Sequence, residues 1–135
     1  MAVGPPKWGT SNDIVVIRTG RPGDAAVITA NESGFNAIDL IVATPSSSIS
    51  SYFMCHFINS SIAKRQTRKG IAGTAQTHFN VGEFKKLKIP LLTIAEQNEI
   101  VNQIEKITTK KEKIRIHAKN IETMKAKYLN NIWGA

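Results

Sequence analysis

No glycine or proline interrupts the chain between Pro90 and Gly134, and that stretch constrains the fold more than any other feature. Thr93-Ile94-Ala95-Glu96 puts a hydroxyl where a helix N-cap belongs and a carboxylate three residues later, the pattern of a capping box. A helix over residues 94–131 spans roughly 55 Å at ~1.5 Å per residue, more than a small globular core can cover. Ile100, Ile107, Ile114 and Ile121 recur every seven residues with Tyr128 next in phase, and Ile104, Ala118 and Ile132 hold the companion position four residues on. This ladder predicts a coiled-coil seam. Lys111 and Lys125 interrupt it, as polar seam residues do where register or partner choice matters more than stability. Its weakest part is Lys106 to Lys113, where Thr108 and Thr109 lower helix propensity and four lysines lie within eight residues. An apolar stripe on an isolated rod calls for a second helix to cover it. The sequence holds no other stretch of that length, so pairing as a homodimer or with a helix of another protein is expected.

The preceding residues read as an α+β head. Ile14 to Arg18 is a β-branched run expected to form a strand buried on both faces. Gly20-Arg21-Pro22-Gly23 breaks it, and Ala25 to Thr29 returns as the next strand. After a turn at Asn31 to Gly34, Phe35 to Thr44 supplies one or two more strands, ending at Pro45. Ser46 to Ser51 offers several N-caps for a helix over Tyr52 to Ile62, with 54, 58 and 62 on its buried face. Residues 66–80 hold two glycines and little apolar periodicity, and are expected to be a loop. Asn80 and Glu83 then cap a short helix carrying Val81, Phe84 and Leu87, closed before Ile89-Pro90. The organisation is thus a small mixed α/β head over residues 1–92 and a long coiled-coil helix over residues 93–132.

The formal charge of +8 is unevenly spread. Residues 1–60 are nearly balanced, whereas residues 61–95 carry seven basic side chains, Lys64, Arg65, Arg68, Lys69, Lys85, Lys86 and Lys88, against the single acid Glu83. Such an excess on a folded domain suits a phosphate-facing surface, and equally suits a solvated face that keeps a protein soluble. Nothing nominates catalysis. The serines of 46–51 lack nucleophile-elbow glycines, His56, His78 and His117 lack metal-ligand spacing, and there is no phosphate-binding loop. His56 is read as packing at the core edge, and the one cysteine, Cys55, as a small buried hydrophobe. With no leader or spanning segment visible, the expected location is cytoplasmic, away from membranes.

Several segments together resemble the target-recognition domain and adjoining helix of the DNA-specificity subunit of type I restriction-modification systems. They are Ile17-Arg18-Thr19-Gly20-Arg21-Pro22-Gly23, Asp39-Leu40-Ile41-Val42, Gly73-Thr74-Ala75-Gln76-Thr77-His78-Phe79-Asn80, and Phe84-Lys85-Lys86-Leu87-Lys88-Ile89-Pro90-Leu91 running into Ala95-Glu96-Gln97. The resemblance implies a non-catalytic subunit without a cofactor of its own. It reads double-stranded DNA and binds the methyltransferase subunit, which alone uses S-adenosylmethionine. The long helix would be a spacer that pairs with another specificity-subunit helix. The roughly 93 residues ahead of the helix are fewer than a complete recognition domain of that kind holds, so the resemblance is to its C-terminal part.

On this reading Arg18 and Arg21 lie in a strand-end turn near the DNA. Lys64, Arg65, Arg68 and Lys69 meet phosphates, Lys85 and Lys86 are further DNA-binding candidates, and Thr74, Gln76, Thr77, His78 and Asn80 reach base edges or set register. Ile100, Ile104, Ile107, Lys111, Ile114, Ala118, Ile121 and Tyr128 form the pairing face. A salt bridge from Arg18 to Asp39 or Asp24 is the structural alternative for that arginine. The alternative for the whole chain is a structural or inhibitory fragment that acts through its helix and binds DNA by charge alone.

Overall fold

A computed structural model of the chain describes residues 9–34, 38–72 and 78–134. Its elements are β1 (Ile14–Ile17), β2 (Ala25–Val27), a 3-10 turn (Ala30–Glu32), β3 (Leu40–Ala43), α1 (Ser51–Asn59), α2 (Ser61–Ala72), α3 (Val81–Lys85) and α4 (Ile94–Trp133). They make two compact units, Met1–Val101 and Asn102–Ala135. The first is the mixed α/β head, the second the distal part of a long C-terminal helix.

The sheet is antiparallel in the order β2-β1-β3. Val15 faces Ala26 on one side and Val42 on the other, and Ile17 faces Leu40. β1 is the central strand, but only one of its faces is fully covered. Ile14 and Val16 are buried and Val15 and Ile17 half-buried, which corrects the expectation of a strand buried on both sides. A three-stranded sheet has helices enough for one face only, so period-2 alternation results. Ile14, Val16, Ile41 and Ala43 pack there with Met54, Ile58, Phe79 and Phe84. Phe79 and Phe84 meet edge to face, with ring centroids 6.3 Å apart.

The turn into β2 depends on Gly20 and Gly23, both at positive φ. Gly23 has a second constraint, since a Cβ there would lie 3.0 Å from Thr67 Cγ2 of α2. Edge strand β2 is clasped by α1. Asn59 accepts from the Ala25 N–H (2.9 Å) and donates to the Ala25 carbonyl (2.8 Å), which blunts an edge open to foreign strands. Cys55 Sγ also donates to that carbonyl, and burial pushes its thiol pKa up, as befits an inert packing residue.

Two helical expectations need correction. The helix expected over 52–62 ends at Asn59, where the Ser60 hydroxyl starts a new helix by accepting from Ala63 N–H (3.3 Å). Ile62 therefore leaves the buried face and is 55% exposed. The loop expected from residue 66 is helical as far as Ala72. Ala63, Thr67 and Ile71 recur every four residues against the core, and Thr67 returns its hydroxyl to the Ala63 carbonyl (3.1 Å). Gly70 costs only ~1 kcal/mol in a helix, which such packing offsets.

α3 is capped by Asn80 Oδ1, which accepts from Glu83 N–H (2.9 Å), and the capping box of α4 forms between Thr93 and Glu96. These Thr93 hydrogen bonds hold the Glu96 carboxyl below its ordinary pKa. The 40 residues of α4 run unbroken through Thr108 for roughly 60 Å. Its first two turns belong to the head, where Gln97 and Val101 are buried. Among the described residues no helix is long and apolar enough to cross a membrane.

Candidate nucleic-acid interface

Two groups of basic residues stand out on the head. The first gathers around Asp24. Gly23 N–H and Asp24 carbonyl both bond to Ile17 (2.8 Å each), closing the turn tightly enough to bring its tip against α2. Asp24 there forms ion pairs with Lys64 from α2 and with Arg21 Nε (3.3 Å). The Lys64 ammonium bonded to it holds the Asp24 carboxyl below its ordinary value, against the opposing effect of burial. Arg21, Pro22, Lys64, Thr67, Arg68 and Ile71 line one shallow depression with Asp24. Arg68 Nε is tied to the Lys64 carbonyl (3.3 Å), while the side chains of Arg65, Arg68 and Lys69 stand exposed on the same helix.

The second group lies at the end of β1. The Arg18 carbonyl accepts from Phe79 N–H (3.1 Å), and the Phe79 ring is fully buried, so core packing anchors exposed His78 beside the strand end. Arg18 Nη1 lies 3.9 Å from Asp39 Oδ1, and Thr19 donates its hydroxyl to Asp39 Oδ2. The arginine's acidic neighbour is thus Asp39; Asp24 belongs to Arg21 and Lys64. The sequence alone leaves Asp39 and Asp24 both open as partners of Arg18, and the cross-strand register selects Asp39.

Of the remaining candidates, Asn80 spends its carbonyl oxygen on the α3 cap. Lys85 is exposed, and Lys86 pairs with Glu83 (2.7 Å). Thr74, Gln76 and Thr77 lie outside the described residues. On α4, Ile107, Ile114, Ile121 and Tyr128 are 65%, 71%, 56% and 66% exposed, an apolar row among lysines. Ile114, Ala118 and Ile121 form one shallow apolar strip with Lys113 and His117 at its border. Among the described residues no group of His, Cys, Asp or Glu is arranged to hold a metal ion.

Comparisons with known proteins identify the family of the chain and the likeness of its fold. The family model "Type I restriction modification DNA specificity domain" matches residues 9–126. The solved HsdS subunit from Thermoanaerobacter tengcongensis superposes with a TM-score of 0.70 at 20% identity, over 97% of this chain and 37% of that one. That likeness is one of fold, and the chain spans little more than a third of the length of the protein it matches. A search of curated proteins returned no match. With the family model spanning the head and most of α4, the chain belongs to the type I restriction-modification DNA specificity domain family.

Proposed function

We propose that this chain is a non-catalytic DNA-reading part of a type I specificity subunit. In it the head contacts a duplex through the β1–β2 turn and the exposed side of α2. The observation that carries the reading is the depression that Arg21, Lys64 and Arg68 line around Asp24, with Arg65 and Lys69 alongside, where five cations outnumber the one carboxylate. Cations from two elements converge there, as a phosphate backbone requires. Lys85 and Lys86 extend the contact, and Thr74, Gln76, Thr77, His78 and Asn80 are the candidates for base-edge or register-setting bonds. Chemistry belongs to a methyltransferase subunit, and α4 pairs through its isoleucine row with that subunit or with another specificity helix, a second copy included.

Binding titrations against salt test this reading. Lys69→Ala should weaken every duplex alike and lower the log–log salt slope by about 1, whereas Gln76→Ala should relax the choice between a selected duplex and its scramble. Unchanged affinity and slope on removing Lys69 and Arg68 together would refute it. The exposed row on α4 favours a second reading, a structural partner that binds DNA by charge alone. Equal affinity for unrelated duplexes together with a stable methyltransferase complex would select it.

A further inference from the structure

Arg18 and Asp39 continue the β1–β3 register one step beyond the Ile17–Leu40 pair, so they stand side by side at the end of the sheet. Both are open to solvent, with side chains 40% and 47% exposed. The arginine is held from behind. Its carbonyl is bonded to Phe79 N–H, and its Nε is buried with no hydrogen-bond partner among the described residues. With Nε turned inward, the terminal amino groups are the part of the guanidinium left to meet a ligand. Asp39 is held as well. It sits in the left-handed region at φ +59°, a conformation Asp tolerates better than most residues, and the Thr19 hydroxyl fixes one carboxylate oxygen. At 3.9 Å the pair is not closed by a hydrogen bond, so donors and acceptor remain available next to one another.

A phosphate fits this arrangement poorly, because the carboxylate beside the guanidinium repels it and cancels the arginine's charge. The major-groove edge of a G·C pair fits it well. Guanine offers the acceptors O6 and N7, and the cytosine N4 amino donor lies beside them, the complement of an arginine fork next to a carboxylate. We propose that Arg18 and Asp39 together read one G·C base pair. Arg18 donates to guanine O6 and N7, Asp39 accepts from cytosine N4, and Thr19 positions the carboxylate. This rests on the head being a DNA-reading domain and names two residues that determine what it reads.

The test is selection of duplexes from a randomised library by the full chain and by its Arg18→Ala, Arg18→Lys and Asp39→Asn variants, each checked for an unchanged melting temperature. The wild type should select a motif holding at least one invariant G·C pair. Arg18→Ala should flatten preference at that position by about tenfold or more, with affinity for scrambled duplex within about twofold. Arg18→Lys, which keeps the charge and loses the fork, should do the same, so the test survives if the alanine variant fails to fold. Asp39→Asn should alter preference at that same base pair. If Arg18→Ala and Arg18→Lys return the wild-type motif, or Asp39→Asn leaves that position unchanged, the inference is overturned while the DNA-reading role stands. A wild type that selects no motif overturns both.

Discussion

Replacing Gln97 by alanine should be among the most damaging single changes to the head. Gln97 is 2% exposed, and its side-chain amide is fully employed. Oε1 accepts from Ser50 N–H (2.8 Å), and Nε2 donates to the carbonyls of Ser48 (3.0 Å) and Leu92 (2.9 Å). One side chain thereby joins the loop that caps α1 to the start of α4. Alanine strands one donor and two acceptors, each costing ~1 to 3 kcal/mol if left dry. Allowing for relaxation and water entry, the loss should be about 3 kcal/mol, a large share of the ~5–15 kcal/mol that holds a domain together. For a head of this size that corresponds to a fall in Tm of roughly 12–24 °C. Calorimetry and amide exchange at Ser50 N–H measure it without interference from the helical signal of distal α4. Gln97→Glu sharpens the test, since it places an acceptor-only group against two carbonyls. Its folded pKa should rise above the unfolded value of ~4.3, so relative stability is retained below that value and lost as pH rises through the folded pKa. The variant should therefore fall further behind the wild type between about pH 4 and 7. A Gln97→Ala protein melting within about 2 °C of the wild type, or a Gln97→Glu protein no worse than alanine at neutral pH, would refute this account of the joint.

Other changes should separate backbone strain, charge and pairing. Gly20→Ala faces open space at φ +76° and should cost about 1 kcal/mol. Gly23→Ala, at φ +83° and against Thr67, should cost about twice that, read as shifts in urea midpoint. Asp24→Asn removes partly exposed ion pairs, so its loss at pH 7 should stay below ~1 kcal/mol. Because the folded Asp24 pKa is lowered, its contribution is present above the unfolded ~3.9 and disappears as pH falls through the folded value, where wild type and variant should converge. The same variant should bind all duplexes more tightly, because a negative charge has left the basic face. If α4 pairs through its isoleucine row, Lys111→Leu with Lys125→Leu should strengthen association in sedimentation and Ile114→Asp should abolish it. Unchanged sedimentation in both would place the partner surface elsewhere.

Local patterns were legible in the sequence wherever they repeated or carried a specific cap. The hydroxyl and carboxylate at Thr93 and Glu96, the amide at Asn80 and the absence of Gly and Pro beyond Pro90 sufficed for the helix starts and for the length of α4. β-branched runs broken by Gly20 and Gly23 sufficed for the first two strands. The basic bias of residues 61–95 marked a candidate surface before any geometry was known. Only packing could decide the rest. A polar, glycine-containing segment from Gln66 became helix because Ala63, Thr67 and Ile71 found the core, a gain that local propensity does not contain. Ile62 was lost from the buried face because Ser60 restarted the helix. Side chains far apart in sequence became partners only through chain crossing: Arg18 met Asp39 through strand register, Lys64 met Asp24 through the tight turn, and Gln97 met the loop ahead of α1. Periodicity is a property of neighbours along the chain and can be read from it. Which cation stands beside which acid depends on contacts that exist only once the chain has folded.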